Sequence, residues 1–109
     1  MRYMFLLYRD ESVPTPSDWI ERLDAFANEA RERGVYLSGE GLEDIEAATS
    51  VRIRDDKVLT TDGPFAETKE VLGGFFLLEC KNLDEAIEYA AKIPTATLGS
   101  VEVRPVMEF

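Results

Sequence analysis

The chain predicts an α+β fold of split β-α-β type, one domain over residues 1–109, with an added β-hairpin. Two nearly continuous apolar runs, Tyr3 to Tyr8 and Phe75 to Cys80, read as central strands. Two stretches of helical periodicity follow those runs, and a hairpin pattern lies between the halves.

Pro14 and Pro16 end the first strand, and Ser17 offers a cap to a helix whose start is favoured by Asp18 and Glu21 and which runs to about Arg33. Trp19, Leu23, Phe26 and Ala30 form its inner stripe, widened by Ile20 and Ala27. Gly34 stops the helix, Val35 to Leu37 begins a second strand, and Gly39-Glu40-Gly41 is expected to turn the chain away.

Ala47 to Arg54 and Lys57 to Thr61 read as a hairpin about Asp55-Asp56. Asp62-Gly63-Pro64 is a strong turn, after which a short helical turn is expected over Phe65 to Glu70. Gly73-Gly74 leads into the Phe75–Cys80 strand. Asn82 then caps a helix from Leu83 to about Lys92, with Leu83, Ala86, Ile87, Ala90 and Ala91 inward and Asp84, Glu85 and Glu88 on the wet side. Pro94 closes this helix. Ser100 to Met107 is the last strand, and its Pro105 suits an edge. Two helices on one sheet face leave the other face of two apolar strands bare, so a homodimer packed sheet to sheet is expected.

Composition excludes several functions. Acidic residues outnumber basic ones 22 to 12, a net charge of −10, which repels a nucleic-acid backbone. The chain has no histidine, which removes the commonest neutral-pH base and metal ligand. Neither a phosphate-cradling glycine loop nor calcium-loop spacing among Glu40, Glu43, Asp44 and Glu46 is present, so no metal and no cofactor are expected. Cys80, alone, reads as a buried thiol in a reducing cytoplasm. The apolar start is too short for a signal peptide and no run approaches the roughly 20 residues of a membrane span, so no membrane partner is expected.

Asp62, beside a tight turn at a strand end, is the candidate catalytic carboxylate; its competing role is to shape that turn. Arg52 and Arg54 alternate to one side of their strand and could clamp an anion, or form a solvated face. Lys69 could join them, or pair with Asp62, Glu67 or Glu70. Glu102 and Arg104 should point away from the helix-covered core toward the barrel interior or a subunit seam, as ligand-binding groups or as an inter-subunit salt bridge that fixes register. Tyr3, Tyr8 and Tyr36 offer hydroxyl groups, with packing as their default role.

The run Thr61-Asp62-Gly63-Pro64-Phe65-Ala66-Glu67-Thr68-Lys69-Glu70, followed by Leu72-Gly73-Gly74-Phe75, resembles the YCII-related family in its branch named for the Asp-Gly-Pro-Phe tetrapeptide. Tyr36 to Leu42, Val51 to Asp55 and Gly99 to Pro105 extend the resemblance over essentially the whole chain. It implies a dimeric α+β barrel of ferredoxin-like subunits with a pocket between them. It also implies a gene neighbourhood with extracytoplasmic-function sigma factors, hence a sigma-factor partner as the alternative to a small-molecule ligand. The histidine-aspartate pair suggested for the wider group has no counterpart here, and Asp56 stands where relatives commonly have glycine. The function expected is therefore a small-molecule-binding dimer acting on a small anionic or aromatic metabolite, with acid–base chemistry if it is an enzyme.

Overall fold

Alternation along β1 (Arg2–Asp10) decides which side of the sheet becomes core: Tyr3, Phe5 and Leu7 are buried, while Met4, Leu6 and Tyr8 are half-buried on the opposite face. The computed structural model describes residues 1–64 and 68–109. Antiparallel to β1 lie β5 (Glu70–Glu79) on one side and β6 (Gly99–Pro105) on the other, and β2 (Tyr36–Gly41) completes the sheet in the order β2-β5-β1-β6. This is the strand order of a split β-α-β sheet, and it puts β6 and Pro105 at an edge as expected.

Helices α1 (Trp19–Glu32), α2 (Leu83–Lys92) and the short α3 (Thr95–Leu98) bring Phe26, Ala27, Ala30, Ala86, Tyr89 and Ile93 onto the Tyr3–Phe5–Leu7 face, where Phe76 and Leu78 of β5 join them. Phe26 and Phe76 stack tilted, their ring centroids 5.0 Å apart. The side chain of Asn82 accepts a hydrogen bond from the Glu85 amide at 2.9 Å, which is the cap expected for α2.

Several local expectations are corrected. Ser17 does not cap α1; Asp18 holds that position without a capping bond, and its carboxylate accepts from Arg22 Nε at 3.0 Å instead. Ile20 is exposed and Trp19 half-buried, so the α1 stripe is narrower than its apolar residues suggest. On α2, Leu83, Ile87 and Ala91 face solvent and Tyr89 is buried, because Ala86, Tyr89, Ala90 and the fully buried Ile93 share one helical stripe. α2 ends at Lys92, just before Pro94 as expected, but Pro94 then caps the short α3, and the last strand stops at Pro105.

Gly39-Glu40-Gly41, expected as a turn, lies inside β2, and Gly73-Gly74 lies inside β5, which starts earlier than the apolar run suggests. A Cβ on Gly39 would come within 2.6 Å of the Phe76 ring, and one on Gly74 within 2.7 Å of the Glu40 carbonyl oxygen, so the glycines let β2 and β5 approach. The helical turn expected over Phe65 to Glu70 lies partly outside the described residues; Thr68 and Lys69 are not helical, and Glu70 opens β5.

Strands β3 (Thr49–Arg54) and β4 (Lys57–Asp62) pair with each other in a separate two-stranded sheet. Both central turn residues, Asp55 (φ 50°) and Asp56 (φ 62°), take the left-handed conformation of a type I′ turn. The hairpin stands off the core, and the Cα radius of gyration of 15.7 Å exceeds the roughly 13 Å of a compact chain near this length.

Gly74→Ala is expected to destabilise the fold by about 1–3 kcal/mol, read as a lowered Tm, since two backbones rather than a flexible side chain must give way. Asp56→Gly is expected to stabilise the hairpin by roughly 0.5–1 kcal/mol by removing a left-handed penalty. Slower amide exchange in β3 and β4 would bear this out; faster exchange would count against it.

Candidate functional site

The bare face of the sheet ends in a cleft. Tyr8 on β1 stands opposite Leu72 on β5 and Ser100 on β6, and near this end the chain returns through Leu42 to Ser50 before entering the hairpin. The cleft holds about 930 Å³, within the roughly 300–1,000 Å³ of small-molecule sites. Tyr8, Leu42, Ile45, Val71 and Leu72 give it apolar walls. Its charged lining is acidic, from Glu11, Glu43, Asp44 and Glu70. A smaller hollow of about 400 Å³ lies against Trp19 and Leu23 and shares the Leu42–Ile45 segment.

Glu70 is the carboxylate of the cleft with a defined partner: Ser100 Oγ donates to it, 2.8 and 2.9 Å from its two oxygens. An ionised carboxylate has about four acceptor sites, so this bond leaves room for a ligand hydroxyl. Glu102 and Arg104 lie opposite Leu6 and Met4 on the bare face, pointing away from the helices as expected, and their side chains form an ion pair. The carboxylate raises the Arg104 pKa by hydrogen bond and charge, with a further contribution from Tyr8. Tyr8, Glu70, Ser100, Glu102 and Arg104 thus occupy the cleft and the strip of sheet beside it.

The remaining predicted residues lie elsewhere. Asp62 ends β4, is exposed and does not line the cleft; its neighbour Gly63 fixes the hairpin root, donating to the Ala48 carbonyl at 2.6 Å and accepting from Ser50 Oγ at 2.8 Å. Register puts Asp62 on the hairpin face of Thr49, Val51 and Ile53, and Arg52 and Arg54 on the opposite face, so one chain does not assemble these three groups. Lys69 is 80% exposed and pairs with Asp10 at 3.8 Å; among the described residues it pairs with neither Asp62 nor Glu70, and Glu67 lies outside them. Asp10 has a lowered pKa, chiefly because Ser12 donates from its hydroxyl and amide and secondarily because of Lys69.

Sequence reasoning missed Glu70 and Ser100. Glu70 falls in the stretch expected as a helical turn, and simple alternation back from Phe76 and Leu78 would send it toward the helices; the bulge that returns it to the bare face has no signal in the sequence.

The model of the YCII-related domain matches residues 1–109. The chain belongs to this family. An uncharacterised protein of Rhizobium meliloti (strain 1021) is 38% identical over 116 residues, an alignment spanning 97% of this chain and 92% of the relative. Among solved structures, 5-chloro-2-hydroxyhydroquinone dehydrochlorinase from Burkholderia phenoliruptrix AC1100, in complex with 2,5-dihydroxybenzoquinone, superposes with a TM-score of 0.48 at 14% identity, covering 100% of this chain and 96% of that one.

Two further features of this YCII-related chain bear on its chemistry. No helix among the described residues is long and apolar enough to cross a membrane. Cys80 is buried in the core, and burial, with Glu85 and Glu79 nearby, pushes its thiol from 9.0 up to about 11. The fold favours the neutral thiol, so this group leaves stability unchanged below pH 9 and lowers it as pH rises from 9 through about 11. Thiol-labelling reagents at pH 8 are expected to leave native Cys80 unmodified and to react on addition of denaturant; rapid native labelling would contradict this burial.

Proposed function

We propose that this protein is a homodimer that binds a small, uncharged aromatic metabolite, such as a phenol, in the cleft at the end of its bare sheet face. The lining carries the reading: apolar walls accept a ring, while four carboxylates repel an anion. Of the anionic and aromatic ligand classes that the sequence leaves open, this lining favours the aromatic one. A phenolic hydroxyl would donate to Glu70, which Ser100 holds from the side. The same carboxylate is the group through which the cleft would exchange a proton with its ligand, the acid–base role first assigned to Asp62. Support for the dimer comes from the apolar strip of Met4, Leu6, Phe75 and Leu77, over which the described residues place no second helical layer.

Thermal-shift measurements test this reading. A phenol at one hundred times its Kd adds about 2.7 kcal/mol, a Tm rise of roughly 10 °C for a chain of this size. Benzoate and phosphate esters are expected to give no comparable rise. Glu70→Gln should weaken phenol binding by on the order of tenfold. Equal shifts from phenols and benzoate, or undiminished binding by Glu70→Gln, would overturn the assignment.

A further inference from the structure

The smaller hollow, against the start of α1, differs from the cleft in holding a cation. Arg9 follows Tyr8 on β1, so alternation turns its side chain toward the helix-covered side, where it lines the hollow together with Leu7. Arg9 and Thr95 have no part in the lining of the cleft, and Tyr8 and Glu70 none in that of the hollow. The two spaces share the Leu42–Ile45 wall and present different chemistry.

Two polar groups of the hollow lack the partners their positions call for. Arg9 is half-buried and donates to Thr15 Oγ1, and among the described residues no carboxylate pairs with it, although acidic residues outnumber basic ones 22 to 12 in the sequence. Thr95, at the start of α3, is 3% exposed, and among the described residues no hydrogen bond takes up its hydroxyl. No fully enclosed side-chain polar atom of those residues is without a partner, so the Thr95 hydroxyl opens on the space it lines. The amino end of α1 borders the same space through Ser17, Trp19 and Ile20. Asp18, at its cap position, turns its carboxylate to Arg22 and leaves the first-turn amides without a side-chain cap. All three features favour a negative group at the inner end of the hollow.

The charges are sorted by depth. Glu11, Glu43 and Asp44 are exposed, at the rim, whereas Arg9 is half-buried and Thr95 buried. A simple anion would suit the inner groups and be repelled by the rim, and a simple cation would do the reverse. A zwitterion matches both, and with no net charge it approaches a chain of −10 without net repulsion. The wall between the two ends is apolar, from Leu7, Trp19 and Leu23, and the volume of about 400 Å³ lies toward the small end of the roughly 300–1,000 Å³ of ligand sites. We infer that this hollow binds a free α-amino acid with an apolar side chain. Arg9 and the Thr95 hydroxyl receive its carboxylate, Glu43 and Asp44 face its ammonium group, and its side chain packs on Trp19 and Leu23. The site lies within one chain and does not depend on the ligand proposed for the cleft.

Trp19 is the single tryptophan of the chain and stands in the wall of the hollow, so its fluorescence reports on the site directly. Titration with L-leucine is expected to change that fluorescence saturably. Isocaproate, which is leucine without its amine, and isoamylamine, which is leucine without its carboxylate, are each expected to bind more weakly by on the order of tenfold or more. Arg9→Gln and Thr95→Val should each weaken leucine binding by on the order of tenfold, with circular dichroism showing retained folding. Arg9→Gln, at the less buried position, carries the test if Thr95→Val does not fold. The absence of a saturable response to both L-leucine and L-phenylalanine would overturn the site. Isocaproate or isoamylamine binding as tightly as leucine would overturn the zwitterion assignment, and undiminished binding by Arg9→Gln would overturn the placement of the carboxylate.

Discussion

The structure depends on a mismatch between layers: its central strands are apolar on both faces, but its helices cover one. Phe5, Leu7, Phe76 and Leu78 are buried beneath α1 and α2, while Leu6, Met4, Phe75 and Leu77 stand on the reverse. Burying apolar surface stabilises by about 25 cal/mol per Å², so the reverse face is unspent driving force. A chain of this size buries only about two thirds of the surface it exposes when unfolded, which makes that reserve matter.

The cleft is a consequence of the same arrangement. Its walls are the last residues of the bare face together with the connection that leaves β2 for the hairpin. The bulge between Leu7 and Tyr8 shifts the register so that Tyr8 meets Leu72 rather than Gly73, and this keeps Tyr8 and Leu72 on one side. Without that extra residue, the alternation would send Leu72 toward the helices.

Much of the fold was legible because local chemistry and tertiary structure agree. The Asn82 cap, the range of α2, the burial of Cys80 and the edge position of Pro105 all follow from short-range rules that nothing distant overrides. The misreadings share one cause, which is that a neighbour in space changes the meaning of a residue. Gly73-Gly74 marks the start of the apolar run, yet Gly74 is where the Glu40 backbone crosses closely, and the strand reaches back through it to Glu70. Tyr89 looks polar enough for a helix surface until Ile93 is pulled inward beyond it.

The candidate site was legible only on the strand whose parity could be counted. Glu102 and Arg104 were oriented correctly because Val101 and Val103 fix the alternation of β6. Asp62 stands out through its turn motif, and the structure shows what the turn demands of its neighbour: Gly63 adopts φ 93° and ties the root of the hairpin to Ala48 and Ser50. Conformational demand and chemical demand select the same residue types at turns, whereas a carboxylate on an otherwise apolar strand end has fewer structural reasons to be there. That asymmetry is why Glu70, held by Ser100 at the edge of an apolar cleft, carries more chemical weight than the aspartate eight positions before it.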